Sequence, residues 1–225
     1  MIRLVLFDID GTMIRTGGAG VKAFARTFAS VFGVERATEN MKFAGRTDSS
    51  LVREFFREHR VPESEENFAR FYETYVFWLD HFLHHNRGDA CPGVAAIIGK
   101  LQRLSEPPLL GLLTGNIRLG AEIKLRHYGL WDSFETGAFG DEHESRNQLA
   151  AIAHQRGCHR LNHSLAGDEV LVIGDTPLDI ECGRSIGAKV LAVATGGATL
   201  NELAAHRPDW AVEHLELVDA AAICR

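Results

Sequence analysis

Cysteine is scarce in this 225-residue chain: Cys91, Cys158, Cys182 and Cys224 show neither paired nor CxxC spacing. That pattern suggests neither a disulfide framework nor a zinc site, and a reducing cytoplasm is expected. Basic residues are in the minority, 24 Lys and Arg against 30 Asp and Glu, for a formal charge of -6. No basic face is available for a nucleic acid or an anionic membrane, so neither is expected as a partner. Proline is limited to 6 residues and the 22 glycines are scattered, which excludes collagen-like and low-complexity readings. Long hydrophobic runs are also missing. The first apolar stretch, Leu4-Val5-Leu6-Phe7, is cut by Asp8 and Asp10, too early for a signal-peptide core or a membrane span. A soluble, unprocessed protein is the expectation.

What is present is an alternation. Ile2 to Ile9 is nearly continuous in apolar residues, as in a strand buried on both faces of a parallel sheet. Pro108–Thr114, Glu169–Ile173 and Lys189–Ala194 repeat the pattern, and segments with helical spacing lie between them, one of them ending before Gly157. The fold class predicted is therefore α/β, a doubly wound and mainly parallel Rossmann-like sheet. Residues 16–90 break the alternation with three amphipathic helices around Phe24 and Phe28, Leu51 and Phe55, and Phe71 and Tyr75, and no strand is expected there. A small all-α cap domain inserted after the first strand is the simplest reading, with the core formed by 1–15 and 91–225. Its glycine-bearing links at Thr16–Gly20 and Gly88–Gly93 are candidate hinges.

Ligands of open α/β sheets bind beyond the C-terminal strand ends, so polar residues that close an apolar run take priority. Asp8 and Asp10 are two apart and point the same way in an extended backbone, with Gly11 permitting a turn before Thr12. Asp10-Gly11 by itself reads equally as a turn, but that leaves Asp8 charged at a buried strand end. Thr114, Gly115 and Asn116 supply neutral donors for phosphate oxygens, or else an ordinary strand-to-helix turn with Asn116 as N-cap. Asp175 closes the third run ahead of a helix start made by Thr176, Pro177 and Asp179, and is a natural oxygen ligand for Mg²⁺. Ser145 and Gln148 read as a capping box that puts Arg146 in a first helical turn, where a surface role is the plainer alternative.

Together these residues resemble the haloacid dehalogenase superfamily of hydrolases, in the phosphoglycolate-phosphatase-like branch with a helical cap. Asp8 to Thr12 is similar to motif one, Thr114 to Asn116 to motif two, Arg146 to motif three and Asp175 to Asp179 to motif four, so the resemblance spans nearly the whole chain. It implies a phosphatase acting on a small phosphorylated metabolite, in which Asp8 is the nucleophile that forms an aspartyl-phosphate and Asp10 the general acid/base. It further implies that Thr114 and Arg146 act on the phosphoryl group, with Gly11, Thr12, Gly115 and Asn116 around the substrate. Mg²⁺ would be held by Asp8, Asp10 and Asp175, with Asp179 in support, in a monomer or homodimer. Motif three is most often Lys; no Lys lies between Lys124 and Lys189, which leaves Arg146 as the candidate. Asp10 argues against a dehalogenase, since halide leaves without a proton.

In the cap, Gly45-Arg46-Thr47-Asp48 is similar to the branch's substrate-reading loop, where Arg46 would meet a second anionic group. The alternative is that Asp48 caps the next helix and Arg46 is solvated. A phosphosugar mutase is a second reading, and a phosphonate hydrolase a third that would need Lys22 or Lys42, the cap lysines, for a Schiff base. A non-catalytic binding module is the remaining possibility. His81, His84 and His85 are read as a solvated helix face.

Overall fold

A computed structural model describes all 225 residues. The chain runs β1 (Leu4–Phe7), β2 (Ile14–Arg15), then α1 (Ala19–Phe32), α2 (Asp48–Glu58) and α3 (Glu65–His85), and returns through β3 (Asp89–Ala90). It continues through α4 (Val94–Gln102), β4 (Leu109–Leu113), α5 (Arg118–His127), β5 (Thr136–Ala138) and α6 (Arg146–Leu161). The last part is β6 (Val170–Gly174), α7 (Pro177–Ser185), β7 (Lys189–Val193), α8 (Leu200–Ala205), β8 (Trp210–Val212) and α9 (Ala220–Ile223). No helix is long and apolar enough to cross a membrane.

Six parallel strands form one sheet in the order β5-β4-β1-β6-β7-β8. The four apolar runs of the sequence are its four central strands, because a strand covered by helices on both faces must be apolar on both. Strand β1 is buried along its whole length, with Leu4 paired to Leu109 on one side and Val170 on the other. Its side chains divide between two clusters: Val5 and Phe7 face α4 and α5, while Leu4 and Leu6 face α6. The edge strands β5 and β8 were not foreseen. Each has three residues and too little pattern to separate it from a loop.

Two other expectations change. Helix α6 does not stop before Gly157 but runs on to Leu161. A Cβ at Gly157 would press into the Leu4 side chain, so the glycine lets the helix approach the sheet instead of ending it. The stretch read as strand-free contains β3, whose Asp89 and Ala90 pair antiparallel with Arg15 and Ile14. A two-residue ribbon leaves no periodic signal. It joins the two chain passages that lead to and from α1–α3 into one neck, where Gly17 lies directly against the Arg87 carbonyl.

Helices α1–α3 gather around an aromatic cluster of their own. Phe28 stacks on Phe55 with ring centroids 3.6 Å apart, and Phe24 meets Phe71 and Tyr75 edge-on at 5.0 and 4.8 Å. Ile117, ahead of α5, joins this cluster from the sheet side. Thus the helical unit rests on the strand ends that carry the polar residues.

Candidate active site

Because β4 and β6 flank β1 in the sheet, the residues that close these three strands are brought side by side. They are Thr114, Asp8 and Asp175, all buried. The Asp8 amide still donates to Ile173 at 2.9 Å, so strand pairing fixes its backbone right up to the carboxylate. Gly11 then turns the chain at φ +86°, a conformation that L side chains avoid, and a Cβ there would overlap the Asp175 carboxylate. Gly196 closes on Asp175 from another side with the same requirement. The turn sends Thr12 inward, where its hydroxyl donates to Asp175 Oδ1 at 3.0 Å. Thr12, expected beside the substrate, does not line the cavity and supports Asp175 instead.

Carboxylate oxygens of Asp8, Asp175 and Asp179 lie within 4.8 Å of one another. Arg146, buried at the start of α6, is the cation set against them. Its guanidinium donates to Asp8 Oδ1 from both terminal nitrogens at 3.4 Å and more closely to Asp179 Oδ1, while its Nε has no partner. Burial opposes the Arg146 charge, but Asp179 and Asp8 outweigh it and hold the group protonated. One guanidinium does not balance three acids. Burial first, then the neighbouring Asp179, pushes Asp8 up to about 7 and Asp175 up to about 8. Ser145 stands at the N-cap of α6, yet its side chain makes no capping bond, so the expected box does not form.

The donor chemistry fits a hard divalent cation. All three groups offer oxygen, and their mutual repulsion is what a cation removes. Both Asp179 oxygens are already engaged, Oδ1 by Arg146 and Oδ2 by the Thr176 amide and hydroxyl at 2.9 and 2.7 Å. Asp8 and Asp175 are the freer pair. The cluster is thus able to hold a metal ion.

Beside it lies a second polar group. Asp10 Oδ2 accepts from Asn116 Nδ2 at 2.8 Å and from Lys124 Nζ at 2.6 Å, and Lys124 also donates to Asn116 Oδ1 at 2.6 Å. Asn116 donates as well to the Thr114 hydroxyl oxygen at 2.8 Å. The capping alternative for Asn116 is not realised: Ile117 holds the cap position of α5. Sequence reasoning overlooked Lys124. The signal was available, since Ala121, Lys124 and Leu125 fall on one helical face and both neighbours are apolar, which puts a lysine on the buried side.

The roof over this floor is the segment Gly45–Ser49 with α1–α3. The Asp48 amide donates to Gly115 at 2.7 Å, the Thr47 hydroxyl to Glu144 at 3.1 Å, and Asp48 Oδ2 accepts the Ile117 amide at 2.9 Å. Gly115 has no room for a Cβ because the Arg46 carbonyl rests on it. Neither reading of this loop holds in full: Thr47, not Asp48, caps α2, and the Arg46 guanidinium is paired with Glu54 at 2.6 Å. Between floor and roof lies a cavity of about 280 Å³ lined by Asp8, Asp10, Thr114, Asn116, Lys124 and Arg146, among others. Asp175, Gly11, Gly115 and Arg46 also border it, whereas Lys22 and Lys42 do not. His81 and His85 stack at 4.2 Å on the exposed face of α3, away from this cavity.

Comparison with known proteins places this geometry. Residues 5–193 match the family model described as haloacid dehalogenase-like hydrolase. A Clostridium perfringens protein that carries the pyrophosphatase name PpaX is 26% identical over 224 residues, 97% of each chain. The bifunctional riboflavin kinase/FMN phosphatase of Arabidopsis thaliana is 24% identical over 191 residues, 84% of this chain and 48% of that protein. Among solved structures, CbbY from Rhodobacter sphaeroides in complex with xylulose-(1,5)bisphosphate superposes with a TM-score of 0.78 at 18% identity, over 100% of this chain and 99% of that one. The structural likeness speaks for the fold, and the family model, matching most of the length, for descent: this chain belongs to the haloacid dehalogenase-like hydrolases.

Proposed function

We propose that this protein is a Mg²⁺-dependent phosphatase that hydrolyses a small phosphate monoester through an aspartyl-phosphate on Asp8. The observation that carries the reading is the meeting of Asp8, Asp10, Thr114, Arg146 and Asp175 around one cavity between floor and roof. The phosphatase names of relatives along most of the chain agree with it.

In this reading Asp8 attacks phosphorus, the new Oδ–P bond forming as the bond to the leaving alcohol oxygen breaks. Asp10 delivers a proton to that oxygen, then takes one from the water that cleaves the acyl phosphate, so phosphate leaves and both carboxyl groups are restored. Asn116 and Lys124 both hold Oδ2 of Asp10, which leaves Oδ1 for the proton. Thr114 and Arg146 receive the phosphoryl oxygens. Mg²⁺ held by Asp8, the Asp10 carbonyl and Asp175 would offset repulsion between nucleophile and phosphate, with Asp179 fixing Arg146 and the α7 start. Residues 16–90 serve as a cap that excludes water over a core of 1–15 and 91–225.

The test is phosphate release from a panel of small phosphorylated metabolites, with Mg²⁺ and with EDTA. Turnover that survives EDTA, or that persists in Asp8→Asn, sinks the proposal.

A further inference from the structure

The cavity is not symmetric in its chemistry, and the half that faces the leaving group carries its own message. Resting on the phosphatase reading above, we propose that the alcohol released is small, uncharged and hydroxyl-bearing. The substrates would then be monophosphates of short polyols or sugars, and not pyrophosphate, bisphosphates or phosphorylated carboxylic acids.

The first argument concerns cations. A second phosphate or a carboxylate buried under the roof needs a positive partner, since an unpaired charge in such a place is strongly disfavoured. Three basic side chains border the cavity, and each is engaged. Arg146 belongs to Asp8 and Asp179 on the floor. Lys124 is held between Asp10 and Asn116, with its side chain only 5% exposed. Arg46 turns its guanidinium to Glu54. No free cation is left for a second anion.

The second argument concerns what the roof does offer. Val21, Phe24, Phe43, Leu51 and Tyr75 give it apolar walls, and Asp48 gives it a carboxylate. Asp48 is only 7% exposed, and its carboxylate accepts a single hydrogen bond, from the Ile117 amide to Oδ2. Oδ1 takes part in no hydrogen bond within the chain, and Asp48 lines the cavity. Burial pushes Asp48 up to about 7, so in its ionised form it meets an anionic leaving group with repulsion, whereas a hydroxyl pairs with it in either form, donating to the carboxylate or accepting from the acid. Tyr75 is fully buried and its hydroxyl likewise makes no hydrogen bond within the chain, so a second polar handle stands near the first. Sites built to pair with a substrate hydroxyl discriminate strongly against analogues that lack it.

Size is the third argument. About 280 Å³ falls at or below the range of ordinary small-molecule sites and must also admit the phosphoryl group. A leaving group of a few carbons fits; a riboflavin-sized one does not.

The experiment compares kcat/KM of the full chain with Mg²⁺ on glycerol 3-phosphate, erythrose 4-phosphate and 2-deoxyribose 5-phosphate against pyrophosphate, 2-phosphoglycolate and fructose 1,6-bisphosphate. Acetyl phosphate serves as the reference for Asp8 chemistry. The best neutral-alcohol ester is expected to exceed every anionic one at least about tenfold, and Asp48→Asn to narrow that ratio by a similar factor. The ratio is independent of how much variant folds. Pyrophosphate or phosphoglycolate turned over as well as the polyol esters overturns the inference, as does an unchanged ratio in Asp48→Asn. Anionic preference alongside good acetyl phosphate turnover removes this inference alone. Silence on every compound, acetyl phosphate included, removes the phosphatase reading and this inference with it.

Discussion

The floor and the roof of the cavity are stabilised in opposite ways. On the floor, Asp8, Asp175 and Asp179 crowd around a single guanidinium, and burial drives the first two out of the ordinary carboxylate range. The roof is held by interlocked rings of Phe24, Phe28, Phe55, Phe71 and Tyr75, with one buried carboxylate at its lower edge. Polar groups that frustrate the apo fold mark where chemistry happens, while a well-packed apolar cluster marks what shapes access to it. On the proposed reading the floor treats any phosphate ester alike, so selection falls to the roof.

The contrast is broken most severely at Asp8. Asp8→Asn should lower kcat by roughly 10⁴-fold or more while thermal stability stays equal or rises, because on the proposed reading the lost group is the nucleophile, and its neighbours hold it under repulsion. Activity assays and a thermal melt together decide this, and a variant that is inactive only because it unfolds would contradict it. On the roof, the stacked Phe28 is the converse case. Phe28→Ala should cost about 3–5 kcal/mol in denaturant unfolding of the helical unit, with metal affinity unchanged.

Lys124 belongs to neither side fully, since it bonds floor residues and lies against Gly20 of α1. Lys124→Met should reduce kcat by roughly 10²-fold and move the pH profile, while leaving KM nearly intact. A rise in KM alone would instead make it a substrate anchor.

The pH dependence of metal binding is a smaller effect with a definite sign. Burial and repulsion from neighbouring carboxylates push folded Asp8 and Asp175 from the ordinary carboxylate value of 3.8 up to about 7 and about 8, so between about pH 4 and 8 the metal-free fold binds more protons than the unfolded chain. Its stability therefore falls as pH rises through that window. Mg²⁺ requires the ionised carboxylates, and the melting-temperature gain at saturating Mg²⁺ should be a few degrees larger at pH 8 than at pH 5. An equal or larger gain at pH 5 would falsify the metal assignment. The smallest effect is expected at His85, exposed on α3 and far from either surface, where His85→Ala should change stability by less than about 0.5 kcal/mol and leave activity unaltered.

Legibility in the sequence followed the strength of local pattern. The four central strands were readable because burial on both faces demands unbroken apolar runs. Strands β3, β5 and β8 have two or three residues each and are made by their neighbours. Asp8 and Asp175 were readable because a charge that closes an apolar run is locally anomalous. Lys124 looked like any helical lysine, and Asp48 like any residue at a helix start. Thr12 was placed around the substrate only by the resemblance; that its hydroxyl donates to Asp175 depends on the Gly11 turn and on a strand end far away in sequence.

By itself, then, the chain determined an α/β fold with a helical insert and the acidic residues at its strand ends, since both depend on periodicity and on charge set against apolarity over a few neighbouring residues. Tertiary structure decided which charges are already paired, which oxygen is left unbonded, and how Lys124 of α5 and Asp48 of the roof come to line one cavity. Those are relations between residues dozens of positions apart, fixed by sheet order and helix packing, on which local sequence has no purchase.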